Sequence, residues 1–270
     1  MLCKHLGAVI ISAIVLSALT QQGHAQKAPQ SAQEQAAVSP SAPLMNDRLQ
    51  SMLDAFAKSA THDQTQQVAG AIMASPALTQ QLDDLADTGK LKGIELRPPV
   101  HTDTSPFPNT IDHGVIVLTR EFLTQNATKR LFDVVIKDEI LPNNLVFALG
   151  GLTFHLQNED AVAAAMAKPG LDEATFLKTH MDDDAGSFIQ GWNDVIDAAI
   201  NENGNKPLTI PQQGMLDLNL RYRAVLEDGG KNTIVNAPSG KIEPTAQNVA
   251  AIEEILRHTQ LLDFGAPMGP

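Results

Sequence analysis

Two histidines and a run of acids are the side chains of this chain whose types and spacing could do chemistry together. His155 and Glu159 lie in LGGLTFHLQNED, residues 149–160, and His180 stands just before the triplet Asp182, Asp183 and Asp184. On a helix, an imidazole and a carboxylate four residues apart share a side, so both can reach one ion or hold each other. Zinc takes such nitrogen and oxygen ligands, and water bound to it becomes acidic enough to attack a carbonyl at neutral pH. His155, Glu159, His180 and Asp184 are therefore the candidate metal ligands, with His101 and His113 as further imidazoles. Asp184 is preferred within the triplet because it precedes Phe188 by one turn, on the side expected to be buried. A plainer reading stands beside this one. A buried His155 can simply donate to a carboxylate, and three acids ahead of an apolar stripe suit a helix N-terminus, where unpaired N–H groups welcome negative charge.

The elements that must position these residues are helices. The run PNNLVFALGGLTFHLQNEDAVAAAMAK predicts a long helix ending at Pro169-Gly170. With Leu145 as origin and about 100° per residue, Leu149, Leu152, Leu156 and Ala163 fall on one core stripe, and His155 and Glu159 lie on its flank at about 280° and 320°. Gly150 and Gly151 each cost about 1 kcal/mol relative to alanine inside a helix. Such a pair is expected where another group approaches the backbone closely or where the helix bends. Asp172 opens the next helical stretch, with a break expected near MDDDAG and a resumption carrying Phe188, Trp192 and Val195 on its buried face.

This order of elements resembles the zincin metallopeptidases, in which a helix bears histidine, glutamate, two free positions and a second histidine. VFALGGLTFHLQNEDA is similar to that helix, MDDDAGSFIQGWNDVI to the segment that brings a third ligand, and HGVIVLTREFL to the edge strand beside the cleft. If His155 matches the second histidine, Gly151 replaces the first and Leu152 replaces the glutamate that takes the proton from water. Asp182, Asp183 or Asp184 would stand at the third ligand place. The resemblance implies a zincin-like fold without its ordinary reaction, since glycine offers no ligand and leucine accepts no proton.

The rest of the chain bounds location and partners. Residues 1–25 read as a secretory signal: Lys4, the apolar LGAVIISAIVLSAL, then small residues before Gln26. Its apolar run is shorter than the roughly 20 residues of a membrane span. The single cysteine, Cys3, lies within it, so the mature chain has no thiol for disulfides or metal. Residues 26–44 are rich in Gln, Ala, Ser and Pro and read as a flexible leader. Residues 45–262 are expected to form a single globular domain, and 263–270 a loose tail. Lys and Arg total 19 against 31 Asp and Glu, a net charge of −12, which argues against nucleic acid as a partner. No phosphate-cradling glycine loop, nucleophile elbow or calcium loop is present.

Apolar periodicity predicts three early helices, through Leu49–Phe56, Val68–Ile72 and Leu78–Leu85, the last closed by Gly89. Strands follow through Leu91–Leu96 and His113–Leu118, and Thr119 caps a short helix. Later stripes predict helices over 128–141, through Met215, Leu218, Tyr222 and Val225, and through Val249, Ile252 and Leu256. The fold class expected is α+β, mostly helical with a small early β-sheet. Two functions follow. One is a secreted or periplasmic scaffold with no catalytic residues and no cofactor, binding a protein or peptide without stable membrane insertion. The other is a metal-dependent peptidase or hydrolase that holds zinc with His155, Glu159, His180 and Asp184.

Overall fold

A computed structural model describes residues 45–97, 109–120, 122–123, 144–228 and 233–259. The signal, the leader, His101, the helix expected over 128–141 and the tail lie outside them. The described chain is mostly helical with a three-stranded sheet early in its order, as composition and periodicity lead one to expect.

Three helices open it, and each starts where a side chain can take an unpaired N–H group. Asn46 accepts from Leu49 N ahead of α1, Asp47–Phe56. Thr61 and Gln64 form a reciprocal capping box on α2, His62–Ala74. Ser75 precedes α3, Pro76–Thr88, with proline at the first position, where its missing donor costs nothing. Gly89, at φ 75°, ends α3 in the left-handed conformation that glycine adopts without strain. The stripes bury as expected: Leu49, Leu53 and Phe56, then Val68 and Ile72, then Leu78, Leu82 and Leu85.

The sheet has the order β1-β3-β2. Strand β1, Gly93–Arg97, runs parallel to β3, Val115–Thr119, with Gly93 opposite Val115 and Arg97 opposite Thr119. Strand β2, Thr110–Asp112, pairs antiparallel with β3. His113, read as the start of a strand, instead shares with Gly114 a two-residue turn in which both φ angles are positive, 52° and 87°. That geometry matches the twist of a hairpin. Thr119 Oγ1 accepts from Phe122 N at 3.3 Å, the expected cap.

Two long helices pack along each other in opposite directions. Asn144 caps α4, Leu145–Met166, accepting from Val146 N and Phe147 N. Asp172 caps α5, Glu173–Glu202, accepting from Thr175 N. The break expected near MDDDAG is absent, since α5 passes through the acids without interruption, about 45 Å in all. The acids therefore do not stand at a helix start. The crossing of α4 and α5 is close: a Cβ on Gly150 would lie 2.9 Å from Gly191 Cα, and one on Gly191 would lie 2.5 Å from Phe147 O. This is the backbone approach that the glycine pair implied for Gly150. Phe147 and Phe188 meet edge to face at 5.2 Å, and Trp192 is fully buried.

The stripe from Met215 to Val225 folds as three short pieces rather than one helix: α6, Ile210–Met215; α7, Leu218–Arg221; and α8, Arg223–Asp228. Asp217 interrupts it by capping Asn219 N. Asn219 in turn bonds Ile234 N and O, both at 2.8 Å, so a distant strap outweighs local periodicity. The last helix, α9, Ala246–Thr259, buries Ile252 and Leu256 as expected.

Candidate functional site

His155 sits on α4 with its ring 7 % exposed, facing α5. Its Nδ1 lies 2.6 Å from Asp183 Oδ2, and the other Asp183 oxygen accepts from Asn158 Nδ2 at 2.6 Å. A carboxylate shared in this way fixes the ring and leaves Nε2 as the free nitrogen. That Nε2 is buried without a hydrogen-bond partner, and so is Ser187 Oγ on the next turn of α5.

The four candidate ligands do not gather around it. Glu159 is exposed on the outer part of α4. His180 is half-buried and packs edge to face on Phe176, ring centres 4.6 Å apart. Asp184 is 4 % exposed, inside the helix pair. His113 is exposed in its turn and pairs with Asp112 at 2.5 Å. Among the described residues no three His, Cys, Asp or Glu side chains stand close enough to share a metal ion. Leu152 is core at 3 % exposure, and Gly151 is buried, so neither resembles a proton acceptor or a ligand. The partner of His155 is Asp183, 28 residues away, and not Glu159 one turn on.

The pair's structural weight can be measured. Asp183→Ala removes the acceptor of two polar groups at once, and buried donors left unpaired cost about 1–3 kcal/mol each. The variant is expected to lose about 2–4 kcal/mol in urea unfolding. Asp182→Ala on the exposed side of α5 should cost well under 1 kcal/mol by the same measurement, since its partner Lys178 is a surface cation.

A different part of the fold is open. Between α1 and β1 lies a groove of about 790 Å³, within the range of about 300–1,000 Å³ in which ligand sites fall. From α1 it is lined by Met52 and Ala55, and from the strand side by the consecutive residues Lys92, Gly93, Ile94 and Glu95. Side chains alternate between faces along a strand, so a cavity touching four residues in a row lies against the strand's edge. Order β1-β3-β2 makes β1 an edge: among the described residues it pairs with β3 alone. Three of the four charged side chains lining the groove are engaged, and the fourth, Asp47, is exposed on α1. Arg48 donates to Ala86 O and Asp87 O, Lys92 to His113 O, and Glu95 pairs with Arg97. The sequence carried one pointer to this place, a glycine inside the strand pattern LKGIELRP.

A buried acid completes the unusual chemistry. Asp194 on α5 is 1 % exposed and accepts from Gln81 Nε2 at 3.3 Å, while its Oδ2 has no partner and fills the space where Gly150 lacks a side chain. Burial, with the Asp197 carboxylate nearby, pushes its carboxyl up to about 8. Its surroundings are helix faces rather than a cleft, so it belongs to the packing of α3, α4 and α5.

No protein-family model, curated protein or solved structure matches this chain.

Proposed function

We propose that the protein acts after export as a binding domain, holding a segment of another protein or a peptide in the groove between α1 and β1. The single observation behind this is that groove: about 790 Å³, open, with Met52 and Ala55 as apolar walls on the α1 side. Export rests on the signal-like residues 1–25, and among the described residues no helix is long and apolar enough to cross a membrane. The likeness to zincins is read as a scaffold relation in which peptide binding persists without cleavage, because Leu152 packs in the core and the His155 Nδ1 is committed to Asp183.

The test is a selection of linear heptapeptides from a phage-displayed random library on the mature protein. Peptides should be enriched, and Ala55→Arg should weaken each by at least tenfold. That substitution drives a long side chain into the groove from an exposed helical position, so the circular dichroism spectrum should not change. Absence of enrichment, or peptides indifferent to Ala55→Arg, would overturn the reading.

One observation favours a second reading, a metal-dependent hydrolase at His155: its Nε2 is buried, carboxylate-oriented through Nδ1 and without a partner. Zinc measured by elemental analysis after dialysis separates the two. The binding-domain reading expects none held stoichiometrically. Retained zinc that is lost on His155→Ala, together with chelator-sensitive peptide cleavage, would favour the hydrolase.

A further inference from the structure

We infer that the meeting of α3, α4 and α5 at Asp194 is a proton-operated latch, closed while Asp194 carries a proton on Oδ2 and opened at the α4–α5 crossing when that proton leaves. The inference is independent of the groove between α1 and β1.

The first argument fixes where the proton sits, and it starts from a backbone carbonyl. Gly150 O can only accept, so the Gln190 side-chain atom 3.2 Å from it is the amide nitrogen. That same nitrogen lies 3.1 Å from the Gln81 amide, which must therefore turn its oxygen toward Gln190. Gln81 is left with its own nitrogen facing Asp194, 3.3 Å from Oδ1. Each amide thus fixes the direction of the next. Oδ1 ends the row as an acceptor, which makes Oδ2 the oxygen that holds the proton.

The second argument is what surrounds Oδ2. Asp194 is 1 % exposed, and among the described residues its Oδ2 has no hydrogen-bond partner. It lies against Gly150, in the space where any other residue would carry its Cβ, and Gly191 Cα stands 2.9 Å from that same position. A neutral carboxyl tolerates such surroundings, whereas a bare carboxylate oxygen with neither donor nor water is far more costly to bury. Because the two backbones fill the space, water reaches Oδ2 only if α4 and α5 part at Gly150 and Gly191.

The third argument is the set of charges that decides when this happens. Among the described residues, α3 presents Gln81 to Asp194 and α4 presents the Gly150 backbone, both uncharged. On α5 itself the Asp197 carboxylate opposes ionisation, and Lys241, bonded to Asp197 at 2.9 Å, favours it. Burial and then Asp197 outweigh Gln81 and Lys241, and the carboxyl is pushed up to about 8. The latch is therefore shut at neutral pH and opens in mildly alkaline solution.

The single tryptophan of the chain, Trp192, is fully buried on α5 beside Gly191 and reports on the crossing directly. In the mature full-length protein its fluorescence is followed from about pH 6 to about pH 9.5, below the range in which tyrosine ionises. Emission should move to longer wavelength and acrylamide quenching should rise in a one-proton transition centred near pH 8, while the far-UV circular dichroism stays constant. Asp194→Asn should remove the transition. Lys241→Met should raise its midpoint by about half a unit or more, because loss of a nearby cation disfavours the charged form. The Lys241 variant keeps the acid in place and so decides the matter even where Asp194→Asn does not fold. A flat profile in the parent, a transition that survives in Asp194→Asn or ignores Lys241→Met, or one accompanied by loss of helical signal would overturn the latch.

Discussion

Gly191→Ala is expected to lower the unfolding free energy by about 3 kcal/mol or more, or to prevent folding outright. The added methyl would sit 2.5 Å from Phe147 O and 3.3 Å from Phe147 C, both backbone atoms of α4, so no rotamer change can relieve it. Overpacking in a core usually costs about 1–3 kcal/mol, and backbone obstacles put this site at the upper end. In a chain of this size that is a fall in Tm of about 6–12 °C. Gly186→Ala provides the contrast within the same helix pair. Its methyl would meet the far end of the Phe154 ring, a half-buried side chain that can turn aside. A Gly191→Ala variant as stable as the parent would mean that the two helices do not cross as closely as described.

Asp194→Asn is expected to stabilise the protein, and the gain should grow with pH. The buried carboxyl holds its proton up to about pH 8, against 3.8 for an ordinary aspartate. A group whose folded pKa is raised favours the folded state fully below the unfolded value, and that advantage is lost as pH rises through the folded one. The window therefore runs from about pH 3.8 to about pH 8, and above it the folded chain carries a buried charge. Gln81 donates to that charge and Lys241 attracts it, while Asp197, itself bonded to Lys241 at 2.9 Å, repels it. Asparagine keeps the shape and removes the proton equilibrium. Urea unfolding at pH 4 should give near equality, and at pH 9 an advantage of about 2–4 kcal/mol to the variant. A constant difference across that range would mean that Asp194 does not titrate in the folded protein as described.

The helical part of the fold was legible because its stripes are local. Leu49, Leu53 and Phe56 follow the helix period, and so do Leu145, Leu149, Leu152 and Leu156; burial follows from that spacing alone. The breaks were not legible, because long-range bonds decide them. Asp182, Asp183 and Asp184 read as a helix start, yet each is accommodated in mid-helix, with Lys178 taking Asp182, His155 and Asn158 taking Asp183, and the core enclosing Asp184. The Met215 to Val225 stripe fails for the opposite reason, since Asn219 is held by Ile234. Strand β2 has three half-buried residues, too short and too even to show alternation. Of the candidate site, the position of His155 beside the core stripe was readable, whereas its partner was a matter of which α5 acid the helix crossing brings opposite. The groove left a single trace in sequence, Gly93, because an opening is made by what its neighbours fail to cover.

The start of α3, at Ser75, bears on the order in which the molecule can assemble. The first turn of α3 is completed by α5: Ser75 Oγ and Ala77 N both donate to Asp197 Oδ2, at 3.1 and 2.9 Å, and Asn201 Nδ2 donates to Ala74 O at 2.9 Å. These bonds join residues more than a hundred positions apart, so a ribosome must deliver nearly three quarters of the chain before the opening helices can be locked. Until then those helices have their own caps and one another, as where Arg48 donates to Ala86 O, and short helices without further packing are marginal in water. Closing the first turn of α3 is thus a late event in the chain's assembly.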